Sequence, residues 1–117
     1  MNVSELKINR ETLEEARVDV LHLGGGIDAH TFEQLDTAIE DIFYEGNYNI
    51  IIDMTEIEYI SSAGVGTLVS ATAQATQKGG NIVLIEVSDP VMEVFRVLGL
   101  ITSLRIVQNL KGALAFY

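Results

Sequence analysis

Apolar and polar positions along this chain alternate between two periods. Apolar residues at every second position predict a strand over 17–23 with one solvent-facing side. The segment 48–54, with its unbroken apolar run at 50–52, and the apolar run at 82–85 predict two strands that are covered on both faces. Shorter apolar segments at 6–8 and 104–107 predict two minor strands, the second of them at an edge of the sheet.

Helical spacing of apolar residues marks the segments between these strands. Thr31, followed three residues later by Gln34, is a capping-box start for the first helix. Ser88, with Pro90 in the first turn, is an N-cap signal for the third helix. The predicted helix ends are 45–47, 78–80 and Gly99, and a last helical turn or two is expected within 109–116.

The order of elements predicts an α/β fold: a mixed, largely parallel β-sheet with α-helices packed on it. At 117 residues the chain has room for one core, so a single domain is expected over 1–117. Gly24–Gly26 is predicted to stop the second strand, and 55–61 is predicted to be a loop.

Charge changes the picture of what this domain binds. The formal net charge is −10, and the whole acidic excess lies between Val18 and Gln77, where there is no Lys or Arg. Nucleic acids and anionic membranes require a basic surface, so neither is expected as a partner. The acidic field instead favours a basic partner.

No targeting or membrane signal is found in the sequence. Residues 1–5 lack the basic start and apolar run of a signal peptide. The longest uncharged run, 59–77, is too polar for a bilayer span. There is no cysteine, which excludes thiol chemistry and fits a reducing compartment, so a cytoplasmic location is expected.

Two candidate ligand sites are weak. Gly24–Gly26 follows a strand, as phosphate-binding loops do, but it lacks the further glycine or the Lys that such loops need. A structural turn is therefore favoured over a phosphate site. Asp28 and His30 lie near a helix start with His22 as the other imidazole, too few ligands to predict a metal site.

The segment from Asp53 to Gly66 carries the strongest signal. A buried strand ends at Asp53, and a helix begins near Ala63 or Gly64, with Ser62 as the expected N-cap. A serine hydrolase is not favoured, because Ile60 replaces the first glycine of a nucleophile elbow and no histidine follows His30.

This segment resembles the STAS domain family of bacterial anti-sigma factor antagonists. In that family a strand ending in Asp leads to an aromatic, an aliphatic, and then Asp-Ser-(Ser/Thr)-Gly-Leu-Gly. Here Ser61 stands in place of the family's second aspartate, and Ala63 in place of the Ser/Thr. The resemblance covers nearly the whole chain and rests on these segments: Asp53, 59–66, 25–28 with Thr31, 78–80, 88–91 and 95–100.

The resemblance implies a partner-switching mechanism. The unphosphorylated antagonist binds an anti-sigma factor that is also a serine kinase, which releases the sigma factor. The kinase then phosphorylates the antagonist, and a serine phosphatase resets it. The family's phosphorylated serine corresponds to Ser62, with Ser61 as the second choice. ATP and Mg²⁺ belong to the kinase, so no cofactor, metal or catalytic residue is expected in this chain.

The implied partner contacts lie at the carboxyl ends of the parallel strands, where loops gather. Asp28 either contacts a partner arginine or the serine hydroxyl, or only caps the first helix. Two alternatives stay open: a STAS scaffold without phosphorylation, in a stress-signalling or lipid-transport complex, and a module that binds a small anion or nucleotide. The expected contact residues are Gly26, Asp28, Thr31, Glu56, Glu58, Tyr59, Ser61, Ser62 and Gly64.

Overall fold

A computed structural model of the chain describes residues 5–117; the predicted absence of a signal peptide in the first residues lies mainly outside this range. Four strands and four α-helices account for most of it. The strands are β1 (Leu6–Leu13), β2 (Val18–Ile27), β3 (Asn49–Ile60) and β4 (Asn81–Ile85). The helices are α1 (Phe32–Tyr44), α2 (Ser62–Gln77), α3 (Asp89–Val97) and α4 (Leu110–Leu114), with a 3₁₀ turn at Ile101–Ser103.

The strands form one sheet in the order β1-β2-β3-β4. β1 runs antiparallel to β2, while β2, β3 and β4 are parallel to one another. The predicted mixed, largely parallel sheet with packed helices is confirmed. The parallel strands place the ends of β2 and β3, at Ile27 and Ile60, next to each other.

The sheet has a core on each face. Ile50 and Ile52 are fully buried among side chains of α1, α2 and α3, whereas Ile51 is buried on the opposite face, where α4 packs. Burial on both faces explains the unbroken apolar run of this strand, as predicted. The second core is the smaller one and covers only part of its face.

The glycine triplet does not stop β2. The strand continues to Ile27, so both the predicted turn and the phosphate-loop alternative at Gly24–Gly26 are wrong. Glycine is needed at Gly25 because its backbone has a φ of +98° and a Cβ there would overlap the Glu5 carbonyl oxygen. The triplet therefore permits close approach inside the sheet, which is the other common role of strand glycines.

The predicted loop at 55–61 is also wrong, because β3 extends to Ile60. Pairing with β2 shifts register twice, between His22 and Gly24 and between Gly25 and Gly26, and each time β3 contains the extra residue. The buried side chains of this segment are consequently three residues apart, at Met54, Ile57 and Ile60. Such spacing hides a strand from a search for simple alternation.

Helix boundaries agree with the predictions in part. Ser88 caps α3 and accepts a hydrogen bond from Val91 N, and α1 begins after Thr31. The Thr31 hydroxyl, however, makes no cap hydrogen bond, so the capping box is wrong. In α2 the N-cap is Ser61 and the helix begins at Ser62, not at Ala63 or Gly64 with Ser62 as cap.

The outer strands also differ from the prediction. β1 runs on to Leu13, because it pairs with β2 along its whole length in a hairpin. The predicted strand at 104–107 is reduced to a single parallel bridge between Ile106 and Leu84. The expected last helical turn is α4, which begins after Asn109 and contributes the buried Ala113 to the second core.

Candidate functional site

The carboxyl ends of β2 and β3 meet the beginning of α2. Ser61 N donates a hydrogen bond to the Ile27 carbonyl oxygen at 2.7 Å, and Val65 N donates to Ser61 O at 3.0 Å. The first of these bonds ties the connection between β3 and α2 to the end of β2, and the second closes the first turn of the helix. The amino terminus of α2 is therefore held in a fixed position over the sheet edge.

Gly64 lets α2 come close to the strands. A Cβ built on Gly64 would lie 2.6 Å from Ile27 Cγ2 and 2.7 Å from Ile60 Cγ1. Both isoleucines are buried in the core, so neither can move aside without opening it. Two residues on, a Cβ at Gly66 would meet no atom within 4 Å, so the steric requirement is specific to Gly64.

Tyr59 crosses the end of β2 and contacts the turn that follows it. A Cβ on Gly26 would overlap Cε1 of Tyr59, so the ring fits only over a glycine. The Tyr59 hydroxyl donates a hydrogen bond to Asp28 Oδ2 at 2.7 Å, and this bond raises the pKa of Tyr59 above its ordinary value. The ring is nevertheless 43% exposed and available for contact.

The turn before α1 is organised by Thr31 and Asp28. The Thr31 hydroxyl donates to the Gly26 carbonyl at 2.8 Å and accepts from Asp28 N at 2.9 Å. Asp28 Oδ1 accepts from the backbone N–H of His30 at 2.8 Å and of Thr31 at 3.2 Å. These contacts orient the Asp28 carboxylate within the turn, while the N-cap position of α1 is occupied by Thr31.

The two serines at the start of α2 differ in exposure. Ser62, the first helical residue, is exposed. The Ser61 Oγ atom is buried and has no hydrogen-bond partner among residues 5–117. The first turn of α2 contains no acidic residue. A group attached to Ser62 would therefore extend into solvent at a helix amino terminus, where negative charge is favoured.

The structure divides the nine predicted contact residues into three groups. The first group is buried beneath the site and consists of Gly26, Thr31 and Gly64. Ser61 is partly buried. The remaining five are partly or fully exposed and lie at or next to the ends of β2 and β3. We call them the carboxyl-end surface: Asp28, Glu56, Glu58, Tyr59 and Ser62.

One basic residue near this surface was missed because it lies outside the acidic stretch of the sequence. Lys7 on β1 pairs with Gly24 on β2, which in turn pairs with Glu56 on β3. The strand register thus brings Lys7 to the border of the carboxyl-end surface. Only the β1–β2 pairing could have indicated this position.

His22 lies apart from Asp28 and His30, between two carboxylates on the second face of the sheet. Its Nδ1 lies 2.7 Å from Asp53 Oδ2 and its Nε2 lies 2.8 Å from Glu11 Oε1. These hydrogen bonds, that of Glu11 first, raise the pKa of His22. Among residues 5–117 no group of three ligating side chains could hold a metal ion.

Asp53 connects this histidine to the last part of β3. Asp53 Oδ1 accepts from Thr55 N at 3.0 Å and from Thr55 Oγ1 at 2.5 Å. Partial burial acts to raise the pKa of Asp53, but the hydrogen bonds from Thr55 and His22 outweigh it, and the pKa lies below its ordinary value. Asp53 therefore fixes the beginning of the irregular segment that leads to Tyr59.

A membrane-crossing helix would need a long apolar segment. Within residues 5–117 no helix has the length and apolar character required to cross a bilayer. The longest is α2, with 16 residues, and it contains polar side chains along its length.

The sequence is similar to that of known proteins. The family model of the STAS domain matches residues 9–113. An anti-sigma-B factor antagonist of Listeria monocytogenes is 32% identical over 113 residues, which cover 96% of this chain and 94% of that protein. An anti-sigma-B factor antagonist of Staphylococcus epidermidis is 23% identical over 95 residues, covering 81% of this chain and 88% of that protein.

Three solved structures illustrate the similarity in fold. An anti-sigma factor antagonist from Mycobacterium paratuberculosis superimposes with a TM-score of 0.82 at 20% identity, covering 95% of this chain and 92% of that one. The anti-sigma factor antagonist SpoIIAA in its unphosphorylated form gives 0.75 at 22% identity, covering 91% and 92%. The phosphorylated form of SpoIIAA from Bacillus gives 0.69 at 21% identity, covering 91% and 96%. At these identities the likeness shows a shared fold.

Proposed function

The chain belongs to the STAS domain family, and we propose that it is an anti-sigma factor antagonist switched by phosphorylation of Ser62. In its unphosphorylated form it binds an anti-sigma factor through the carboxyl-end surface and so releases a sigma factor. The relative from Listeria monocytogenes, matched over almost its whole length, is named an anti-sigma-B factor antagonist, which supports this role.

The observation that carries the proposal is the position of Ser62. It is the first residue of α2, it is exposed, and it belongs to the carboxyl-end surface together with Asp28 and Tyr59. A phosphate there would stand within the surface that we assign to the partner. Binding and modification would therefore exclude each other.

Ser62 is a better phosphate acceptor than Ser61. The Ser61 Oγ atom is buried, so a kinase could reach it only after the start of α2 had opened. The backbone of Ser61 also bonds to Ile27, which opposes such an opening. These contacts favour Ser62 over the second choice made from the sequence.

A phosphate on Ser62 would change the binding of the partner more than the stability of the fold. Phosphorylation adds about −1.5 to −2 charges at neutral pH. The amino terminus of α2 favours this charge by roughly 0.3–1 kcal/mol, so the fold tolerates it. The exposed neighbours Glu56 and Glu58 offer no neutralisation, and a partner that packs closely on Ser62 would have to remove water from the phosphate, which costs binding free energy.

The rest of the cycle follows from the same proposal. The anti-sigma factor acts as a serine kinase that supplies ATP and Mg²⁺, and a serine phosphatase removes the phosphate. The chain is a binder and a substrate rather than a catalyst. It works in the cytoplasm, where sigma factors meet RNA polymerase. Its net charge of −10 steers a partner with a basic docking surface.

Mass spectrometry of the intact chain tests the proposal. The chain is incubated with ATP, Mg²⁺ and each anti-sigma kinase encoded in the same genome, and the modified peptide is then sequenced. We expect one added phosphate, located on Ser62. The Ser62→Ala variant should stay unmodified, whereas the matched Ser61→Ala variant should accept phosphate as the wild type does.

Two other results would contradict the proposal in different ways. Phosphate on Ser61 would keep the switch and refute the site. Absence of phosphate with every kinase would refute the switch, and stable complexes found by pull-down would then support a STAS scaffold.

A further inference from the structure

The outer edge of β1 is an unpaired sheet edge. β1 is the first strand in the sheet order and pairs only with β2, and no other strand within residues 5–117 lies beside it. At the opposite side of the sheet, β4 is bridged by Ile106, so that edge is partly covered. An unpaired edge presents backbone N–H and C=O groups that another strand can bind.

The register shows which residues present these groups. Gly26 N donates to Glu5 O at 2.9 Å, and the pairing runs without a shift from Leu6 opposite Gly25 to Leu13 opposite Val18. Inward and outward backbone groups alternate along an antiparallel pair. The residues of β1 whose N–H and C=O groups point to the free edge are Leu6, Ile8, Arg10 and Thr12.

We propose that this edge pairs with the same edge of a second copy of the chain, antiparallel, with Asn9 on the two-fold axis. In this register Leu6 lies opposite Thr12 of the second copy and Ile8 lies opposite its Arg10. Every outward-pointing residue then exchanges both of its backbone hydrogen bonds with an outward-pointing partner. The two sheets become one continuous sheet.

Charge complementarity selects this register. With Asn9 on the axis, Lys7 lies opposite Glu11 of the second copy, and the symmetry produces the same pair twice. Glu11 Oε1 already lies 2.8 Å from His22 Nε2 of its own copy, so Lys7 would pair with the second carboxylate oxygen. These are non-hydrogen-bonded positions, where facing side chains come closest and opposite charges stabilise the pairing. An axis at Arg10 would place Lys7 opposite Leu13 and Asn9 opposite Glu11, so no ion pair would form, and an axis at Ile8 would place Glu5 opposite Glu11.

The side chains on the two faces fit such a pairing. Leu6 and Ile8 pack on the core beneath α1, so their apolar surface continues across the new strand pair. Arg10 is held back by Asp19 at 2.9 Å and by Glu45 at 2.8 Å, which keeps its charge within its own copy. No residue of the carboxyl-end surface lies on β1, so both copies keep that surface for a partner.

Charged residues on an edge strand usually protect a sheet from unwanted pairing. The charges of β1 oppose pairing with Ile8 on the axis, whereas they are complementary with Asn9 on the axis. The net charge of −10 on each copy opposes association, although salt screens it over about 8 Å at physiological ionic strength. The expected dimer is therefore reversible and dependent on protein concentration.

Sedimentation velocity on charge variants of the full chain tests the proposal. Lys7→Glu or Glu11→Lys sets like charges opposite each other twice and should raise the dimer dissociation constant at least about tenfold. The double variant Lys7→Glu with Glu11→Lys restores opposite charges and should restore the dimer. Glu15→Lys, an equal change of charge in the exposed hairpin turn, should not weaken it.

Hydrogen exchange tests the register independently. Raising the protein concentration to about 1 mM should slow exchange at the amides of Leu6, Ile8, Arg10 and Thr12, while those of the residues between them stay unchanged. A chain that remains monomeric at this concentration would overturn the proposal. So would a dimer that Glu11→Lys strengthens, since that result would show that net charge alone controls association.

Discussion

The Tyr59 hydroxyl donates to Asp28 Oδ2 at 2.7 Å, which joins the end of β3 to the turn before α1. The two residues are 31 positions apart in the chain, and the ring reaches Asp28 only because it passes over Gly26. This contact sets the shape of the carboxyl-end surface, because it fixes one aromatic and one acidic side chain relative to each other.

Tyr59→Phe should weaken this connection without disturbing the core. The variant loses a hydrogen bond to a carboxylate at an exposed position, so we expect a small fall in the free energy of unfolding. Urea denaturation measures the change. Tyr44→Phe is the matched control, because Tyr44 is 94% exposed, and it should have no effect. Equal losses in both variants would contradict a role for the Tyr59 hydroxyl.

Gly64→Ala should destabilise the fold, and Gly66→Ala should not. The added methyl at Gly64 would push against Ile27 and Ile60, at a cost of about 1–3 kcal/mol. At Gly66 the methyl meets nothing, and the better helix propensity of alanine should stabilise the chain by roughly 0.5–1 kcal/mol. Thermal unfolding of the two variants compares them directly, and a Gly64→Ala variant as stable as the wild type would exclude the packing argument.

Ser62→Asp should imitate the phosphorylated state in part. The added charge at the start of α2 should leave the fold as stable as before or slightly more so, while the affinity for the anti-sigma factor falls at least about tenfold. Isothermal titration calorimetry measures the binding. Ser70→Asp places the same charge at an exposed site farther along α2 and should bind normally. If both variants bind equally well, Ser62 does not lie in the interface.

Stability should decrease as the pH rises through the titration of His22. Its pKa in the folded chain is raised by Glu11 and Asp53, so its contribution is complete below the ordinary pKa of about 6.5 and is lost as the pH passes the higher folded value. At this half-exposed site we expect less than about 1 kcal/mol.

Urea denaturation at a series of pH values measures this loss. The series starts at about pH 6, near the ordinary histidine pKa, and goes upward. His22→Gln should flatten the profile, and His30→Gln, with an exposed side chain, should leave it unchanged. If the free energy of unfolding of the His22→Gln variant still falls with rising pH as in the wild type, groups other than His22 cause the effect.

The parts of the fold that the sequence predicted are those with regular periodicity. The run around Ile51 and the helical stripe of α1 each repeat one spacing, so local pattern is sufficient. The end of β3 was mistaken for a loop because two bulges break its alternation. The prediction of Ser62 as N-cap also failed, since serine is a good capping residue at either position and the N-cap in the structure is Ser61, whose N–H bonds to Ile27 O across the sheet.

The residues of the candidate site were proposed from the sequence, but their arrangement was not. Family motifs identified Asp28, Tyr59 and Ser62, and the strand ends bring them to one surface. No sequence signal indicated that Tyr59 bonds to Asp28, because that contact depends on the register between β2 and β3. The pairing of His22 with Glu11 and Asp53 was missed for the same reason, since it joins three different strands.

The two extra residues of β3 constrain how this segment can vary among relatives. Substitutions between Asp53 and Ile60 change one side chain at a time. Deleting a single residue there would instead remove one of the two bulges, and the local twist and the spacing of three residues between Met54, Ile57 and Ile60 would be lost. Evolution of this segment is therefore expected to proceed by substitution at constant length.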